Sequence, residues 1–285
     1  MSTSPRCSDL SELAGEPLGA TATHAKNWLL VEMPGIWDRD VGGGAGLPEP
    51  ARRAASEWLE RTPSSRLLFI RRPGRARPAT ALAFVVHAGE SRFVVRRYEL
   101  VSPGDVSEVD LVGGGEETDA ALVLVCGHGT RDACCALRGT AVYGALTARL
   151  ADDELWLSSH QGGHRFAANV LVFPAGIHLG RLASESAVRV VADALAGRID
   201  LAHYRGRVAY PAGVQAAELA VRNAEGIEAV ADLSLVAVED EVVRFRGADG
   251  REHAAVVAER MGPSVPASCG ADPEPQAVLT AQVVG

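Results

Sequence analysis

Residues 121 to 135 read Ala121-Leu-Val-Leu-Val-Cys126-Gly-His-Gly-Thr-Arg-Asp-Ala-Cys134-Cys135. The stretch up to Cys126 is an unbroken apolar run, too short for a lone helix and typical of a central strand buried on both faces. Gly127 to Thr130 makes a turn. From Asp132 to Leu150 the spacing of Leu137, Val142, Leu146 and Leu150 predicts a helix, with Gly139 and Gly144 weighing against it. A short strand at Leu155 to Leu157 runs into Ser158-Ser-His160-Gln-Gly-Gly-His164. Strands at Val170 to Phe173, stopped by Pro174, and at Ile177 to Leu179 follow, then a helix at Ser184 to Ala196 with Val188, Val191 and Leu195 inward. This succession is that of a thioredoxin-like core, expected over residues 116–200.

Upstream, Met1 to Leu18 is rich in Ser, Pro and small residues and reads as a loosely attached start. Trp28 to Val31 reads as a buried strand, Gly42 to Pro50 as a loop, and Ala51 to Arg61 as a helix with Ala54, Ala55, Trp58 and Leu59 on one face. Leu67 to Ile70, Ala79 to His87 and Arg92 to Arg97 read as strands, the last two joined by a turn at Ala88 to Ser91. An N-terminal α/β domain is thus expected over residues 1–115, closing near Gly113-Gly114-Gly115. Downstream, a helix at about Gly213 to Asn223 precedes strands at Leu233 to Val238 and Val242 to Arg246. Asp249-Gly250 signals a hairpin into His253 to Ala258. Residues 201–285 are therefore expected to add a helix and a small β appendage, with the Pro- and Ser-rich chain beyond Gly262 hugging the surface. The fold class is α/β.

Composition narrows the function. With 285 residues, 47% apolar and 22% charged, the chain has the make-up of a folded protein. Its apolar runs fall short of the roughly 18 to 20 residues that span a bilayer, and Ser and Thr occupy the N-terminus where a signal peptide needs an apolar stretch. A soluble, cytoplasmic protein without a membrane partner is expected. The balance of 28 basic and 36 acidic residues, a net of -8, repels phosphate backbones, so no nucleic-acid partner is expected. Five cysteines, two of them adjacent, make a poor disulfide framework and leave reduced thiols free to bind metal.

The chemistry gathers around Cys126, Cys134, Cys135, His160 and His164. Thiolates and imidazoles together suit zinc, copper or iron-sulfur chemistry and not magnesium or calcium. Cys126 ends a central strand and Cys134 and Cys135 open the next helix, so a tight loop brings their sulfurs together where α/β proteins place their sites. Gly162-Gly163 predicts a loop between the histidines, and such a loop passes close to a bulky object, which suits a cluster better than a single ion. His128 and Arg165 are placed to hydrogen-bond around the site.

The segments from Cys126 to Cys135, from His160 through Arg165 to Pro174, and Tyr204-Arg-Gly-Arg resemble the sucrase/ferredoxin-like family, as does Trp28-Leu-Leu-Val-Glu-Met-Pro-Gly. The resemblance implies a thioredoxin-like ferredoxin domain with a 2Fe-2S cluster held by two cysteines and two histidines. On it, C-x8-C falls on Cys126 and Cys135 and H-x3-H on His160 and His164, with Cys134 the alternative to Cys135. Histidine ligands leave a cluster less negative than an all-cysteine one and, as in Rieske centres, raise its potential by several hundred millivolts. The second nitrogen of each ring can release a proton. The expected function is proton-coupled one-electron transfer with a redox partner protein, more a carrier than a catalyst. No paired carboxylates suggest glycoside hydrolysis.

Two rival readings use the same residues. A thiol-disulfide oxidoreductase would work through Cys134 and Cys135, although it lacks C-x-x-C and an adjacent pair makes a strained disulfide. A structural Cys2His2 zinc site would take the same ligands. The glycine runs at Gly42 to Gly46 and Gly113 to Gly115 lack the residues of a phosphate loop. Arg71, Arg72, Arg75 and Arg77 read as a solvated loop, with docking of an acidic redox partner the lesser alternative. Cys7 and Cys269 carry no assigned role.

Overall fold

The computed structural model describes residues 5–72 and 80–284. Helix α1 (Cys7–Leu13) precedes β1 (Asn27–Glu32), α2 (Glu49–Arg61), β2 (Ser65–Arg71), β3 (Ala81–Ala88), β4 (Phe93–Leu100) and β5 (Glu116–Thr118). Next come β6 (Leu122–Cys126), α3 (Ala133–Leu146), β7 (Leu155–Ser158), β8 (Val170–Phe173), β9 (Ile177–Leu179), α4 (Ser184–Leu195) and β10 (Tyr204–Arg207). Helix α5 (Ala212–Glu225) leads into β11 (Leu233–Glu239), β12 (Val242–Gly247), β13 (Glu252–Pro266) and β14 (Pro273–Val284).

The first ten strands form one mixed sheet in the order β10-β9-β8-β6-β7-β2-β1-β3-β4-β5. It runs without a break across the glycines near residue 115, because β2 pairs antiparallel with β7 through Ile70 with Ser158 and Arg71 with Leu157. Alternation along the strands sends successive side chains to opposite faces. Leu29, Val31, Val123 and Val125 join the core that includes Ala51, Ala55 and Trp58 of α2, Val142 and Leu146 of α3, and Val190 and Val191 of α4. Trp28, Leu30, Leu124 and Trp156 meet on the other face. There the Trp28 and Phe173 rings lie 5.5 Å apart although four strand spacings, about 19 Å in a flat sheet, separate β1 from β8. The sheet therefore curls, and the segment before β1 reaches the far edge, with Thr21 N–H donating to the Arg205 carbonyl and Ala25 N–H to that of Val208.

Two expectations are corrected. The start is not loose: α1 buries Cys7, Ser8 and Ser11, and Arg181 donates to the Ser11 hydroxyl at 3.0 Å and the Glu16 carbonyl at 2.7 Å. Nor does the chain beyond Gly262 simply hug the surface. β13 continues to Pro266 and pairs with β14 in a long hairpin, completing a second sheet in the order β11-β12-β13-β14. Helix α5 packs on that sheet through Val214, Ala217 and Val221 against Leu233, Val243 and Phe245. Arg75, Arg77 and Ala79 lie outside the described residues. Arg71 stacks on Trp37, and Arg72 pairs with Glu32 at 2.8 Å. Among the described residues no helix is long and apolar enough to cross a membrane.

Candidate metal centre

Cys126 is the last residue of β6, and its amide donates to the Asn169 carbonyl at 3.0 Å. The chain turns through Gly127, whose N–H donates to the Ser158 carbonyl, and enters α3 at Asp132, whose side chain caps the helix by accepting from Cys134 N–H at 2.8 Å. Cys134 and Cys135 are one helical step, about 100°, apart and so face different ways. Cys135 faces Cys126 and His160, and the ligating atoms of these three residues all lie within 4.8 Å of one another. Cys134 faces Cys7 at 3.5 Å, Cys269 at 3.3 Å and the Ser8 hydroxyl at 3.2 Å.

The histidines do not share an α-helix face: His160 lies in a loop and His164 opens a single 3-10 turn, His164–Phe166. His160 N–H donates to Nδ1 of His128 at 3.1 Å, and Nε2 of His128 lies 2.7 Å from the Asp38 carbonyl, so a neutral His128 bridges the two segments. The Arg66 guanidinium donates to the His160 carbonyl at 2.9 Å. Gly162 and Gly163 take φ of +100° and +66°, a region open to glycine but costly for other residues. Arg205, buried, donates to the Gly162 carbonyl at 3.0 Å and to Asn169 Oδ1 at 2.8 Å. Asn169 in turn donates to the Gly163 carbonyl at 3.0 Å. This brings the rings of His160 and His164 to 5.0 Å between centroids. His164 directs Nε2 to the Ala267 carbonyl at 2.5 Å, with Asp132 3.7 Å away. Nδ1 of both His160 and His164 is buried without a hydrogen-bond partner.

The electrostatics favour an anionic sulfur at Cys126 and at Cys134 and a protonated one at Cys135. Hydrogen bonds from Cys135 and then His160 hold the Cys126 thiol well below its ordinary value, and the same contact with Cys126, with burial, pushes Cys135 well above. One thiolate and one thiol share the pocket. Cys134 is drawn down to about 6, first by Cys7 and then by Ser8. Burial lowers Arg66 and takes Arg205 to about 9. A cavity of about 440 Å³ lined by Arg39, Arg66 and Arg131 opens onto His160.

Of the residues singled out in the sequence, Cys126, Cys135 and His160 converge, the His164 ring lies beside that of His160, and His128 holds the His160 main chain. Arg165 turns to Glu16, at 2.8 Å and 3.0 Å to the two carboxylate oxygens, and stacks on Phe166. The sequence reading missed Arg66, Asp132 and the grouping of Cys7 and Cys269 with Cys134. Arg66, a charge at the head of an apolar strand, was the one legible signal.

A family model described as Sucrase/ferredoxin-like matches residues 18–206. Proteins named Altered inheritance of mitochondria protein 32 are similar over shorter stretches. That of Eremothecium gossypii is 39% identical over 61 residues, 21% of this chain and 20% of that protein. That of Debaryomyces hansenii is 34% identical over 97 residues, 30% and 36%. That of Meyerozyma guilliermondii is 32% identical over 105 residues, 33% and 37%. The matched stretches thus span little more than a third of these relatives at most. No solved structure matches the chain.

Proposed function

The chain belongs to the sucrase/ferredoxin-like family, and on that footing we propose that it is an electron carrier whose 2Fe-2S cluster is held by Cys126, Cys135, His160 and His164. One observation carries the reading: two thiols and an imidazole converge beside a second imidazole, and both rings bury an Nδ1 that nothing in the protein satisfies. Such an orphaned atom costs about 1–3 kcal/mol unless a ligand takes it up. When bound, the cluster accepts and releases one electron at a potential raised by its histidine ligands. The protein's own groups then have definable tasks. Arg66 and Arg205 hold the loop by its carbonyls and offset negative charge, and His164 keeps a proton on Nε2 against the Ala267 carbonyl. The cavity beside His160 is where a donor or acceptor protein would approach, in the cytoplasm on this reading.

The strand order supports a thioredoxin-like core: β7-β6-β8-β9 places the second strand beside the first, then the third and fourth, with β6 parallel to β7 and antiparallel to β8. The loop carrying both histidines stands where that fold ordinarily has a helix. Because Cys134 and Cys135 point to different partners, the dithiol alternative has less support than the cluster.

Protein purified without oxygen is expected to be red-brown, and reduction by dithionite should bleach it and give a rhombic low-field paramagnetic resonance. Cys126→Ser should abolish the colour, and His164→Cys should keep it while lowering the potential. Above the oxidised-state histidine pKa the potential should fall by about 59 mV per pH unit. Colourless wild-type protein holding one zinc in these four residues would overturn the proposal.

A further inference from the structure

Three cysteines from distant parts of the chain meet behind the candidate cluster site. Cys7 opens α1, Cys134 lies in the first turn of α3, and Cys269 sits in the turn between β13 and β14. Their sulfurs form a nearly equilateral triangle with edges of 3.5, 3.3 and 3.6 Å. Asp132 supplies a fourth corner, Oδ1 lying 3.3 Å from Cys269 Sγ and 3.8 Å from Cys7 Sγ. A tetrahedral ion with metal–sulfur bonds of about 2.3 Å and a metal–oxygen bond of about 2.0–2.2 Å has sulfur–sulfur edges of about 3.8 Å and sulfur–oxygen edges of about 3.5 Å. The observed sulfur–sulfur edges are shorter than these by up to about 0.5 Å, and the sulfur–oxygen edges lie within about 0.3 Å, so the four groups need only spread slightly to admit an ion. A disulfide needs about 2.05 Å, and three thiols would leave one over.

We propose that Cys7, Cys134, Cys269 and Asp132 form a second, structural site for a soft divalent cation of the zinc class. It uses none of the four residues assigned to the cluster and does not depend on that assignment. Cys7, Cys134 and Asp132 are buried, and the carboxylate's one ion-pair partner among the described residues is His164 at 3.7 Å. Outer contacts are in place: the Ser8 hydroxyl donates to Cys134 Sγ at 3.2 Å, and the amides of Cys134 and Cys269 donate to Asp132 at 2.8 and 2.9 Å. Each thiol would exchange its proton, released to solvent, for a bond to the metal. Three thiolates and one carboxylate around a divalent ion leave a charge of -2, which these donors and the positive end of the 14-residue α3 offset. The ion would staple α1 and the β13–β14 hairpin to α3 one residue before Cys135.

The test is zinc and iron analysis of the full chain, with cobalt titration of metal-free protein as a second readout. Wild type and the double variant Cys126→Ser/Cys135→Ser are expected to hold one zinc per chain and to give the visible bands of tetrahedral, thiolate-bound cobalt. Cys7→Ser and Cys269→Ser should lose at least tenfold of the zinc while keeping the iron. Cys269→His, a competent ligand, should restore the zinc, which a mere folding defect would not allow. Zinc or cobalt that follows Cys126 and Cys135 instead, no binding to wild type, or a disulfide among the three cysteines in protein alkylated before reduction would each overturn the proposal.

Discussion

Replacing Gly139 by alanine tests how the candidate site is built. In α3, Gly139 lies one turn after Cys135 on the same face, and a Cβ there would stand 2.0 Å from the Cys126 carbonyl oxygen and 3.1 Å from its carbon. Non-bonded atoms do not approach so closely, so helix and strand would have to part by about 1 Å. Alanine gains about 1 kcal/mol of helix propensity over glycine. Overpacking costs about 1–3 kcal/mol, and because the obstacle here is backbone, which cannot rotate away, the upper part of that range, about 2–3 kcal/mol, applies and the collision wins by about 1–2 kcal/mol. Gly144 is the control. It lies in the same helix with nothing within 4 Å of its Cβ, so Gly144→Ala should gain about 0.5–1 kcal/mol. Urea unfolding of metal-free protein should therefore separate the two variants by about 1.5–3 kcal/mol. Because ligand distances tolerate about 0.2 Å, Gly139→Ala should also lose most of its iron while Gly144→Ala keeps it. Equal stabilisation of both, or full iron in Gly139→Ala, would refute the close-approach argument.

Two further outcomes concern stability. Glu218 and Arg222 pair at 3.0 Å in the interior, and Tyr204 donates to the same carboxylate at 2.7 Å. Glu218→Ala strands the guanidinium and should cost about 3–5 kcal/mol in urea unfolding. His178, fully buried, accepts from Arg205 at 3.1 Å, and burial first, then Arg205, hold its pKa well below 6.5. The folded protein thus binds fewer protons than the unfolded chain. The stability His178 contributes is present above the unfolded value of about 6.5 and is lost as pH falls toward the folded one, by up to about 1.4 kcal/mol per unit. Unfolding midpoints between pH 7 and 5 should follow that slope, and His178→Asn should flatten it.

The elements around Cys126 were legible because each has a local cause: apolar runs for β6, β1 and β2, a glycine turn, and the helical spacing of Val142, Leu146 and Leu150. The sheet joining the two halves was not, since β2 and β7 pair through only two positions and nothing in either strand names its neighbour. Helix α1 escaped notice because the spacing of Cys7, Leu10 and Leu13 covers less than two turns and does not mark the buried face, which is Cys7, Ser8 and Ser11 while Leu13 is exposed. In the β13–β14 hairpin, prolines at 266, 273 and 275 read as irregular chain, yet Pro266 faces Pro273 and Ser264 faces Pro275 in register. Of the site itself, residue types and loop placement were readable. The direction of Cys134 was not, because it depends on partners more than a hundred residues away in either direction.

The hairpin that carries Ala267 and Cys269 also sets a clock. Ala267 is synthesised 103 residues after His164, which at about 5–20 residues per second is a delay of roughly 5–20 s. During that interval the β6–α3 turn and the histidine loop have already been synthesised, but the Ala267 carbonyl that meets His164 has not. That side of the histidine loop therefore stays uncovered for seconds after the loop is made, until translation has passed the hairpin.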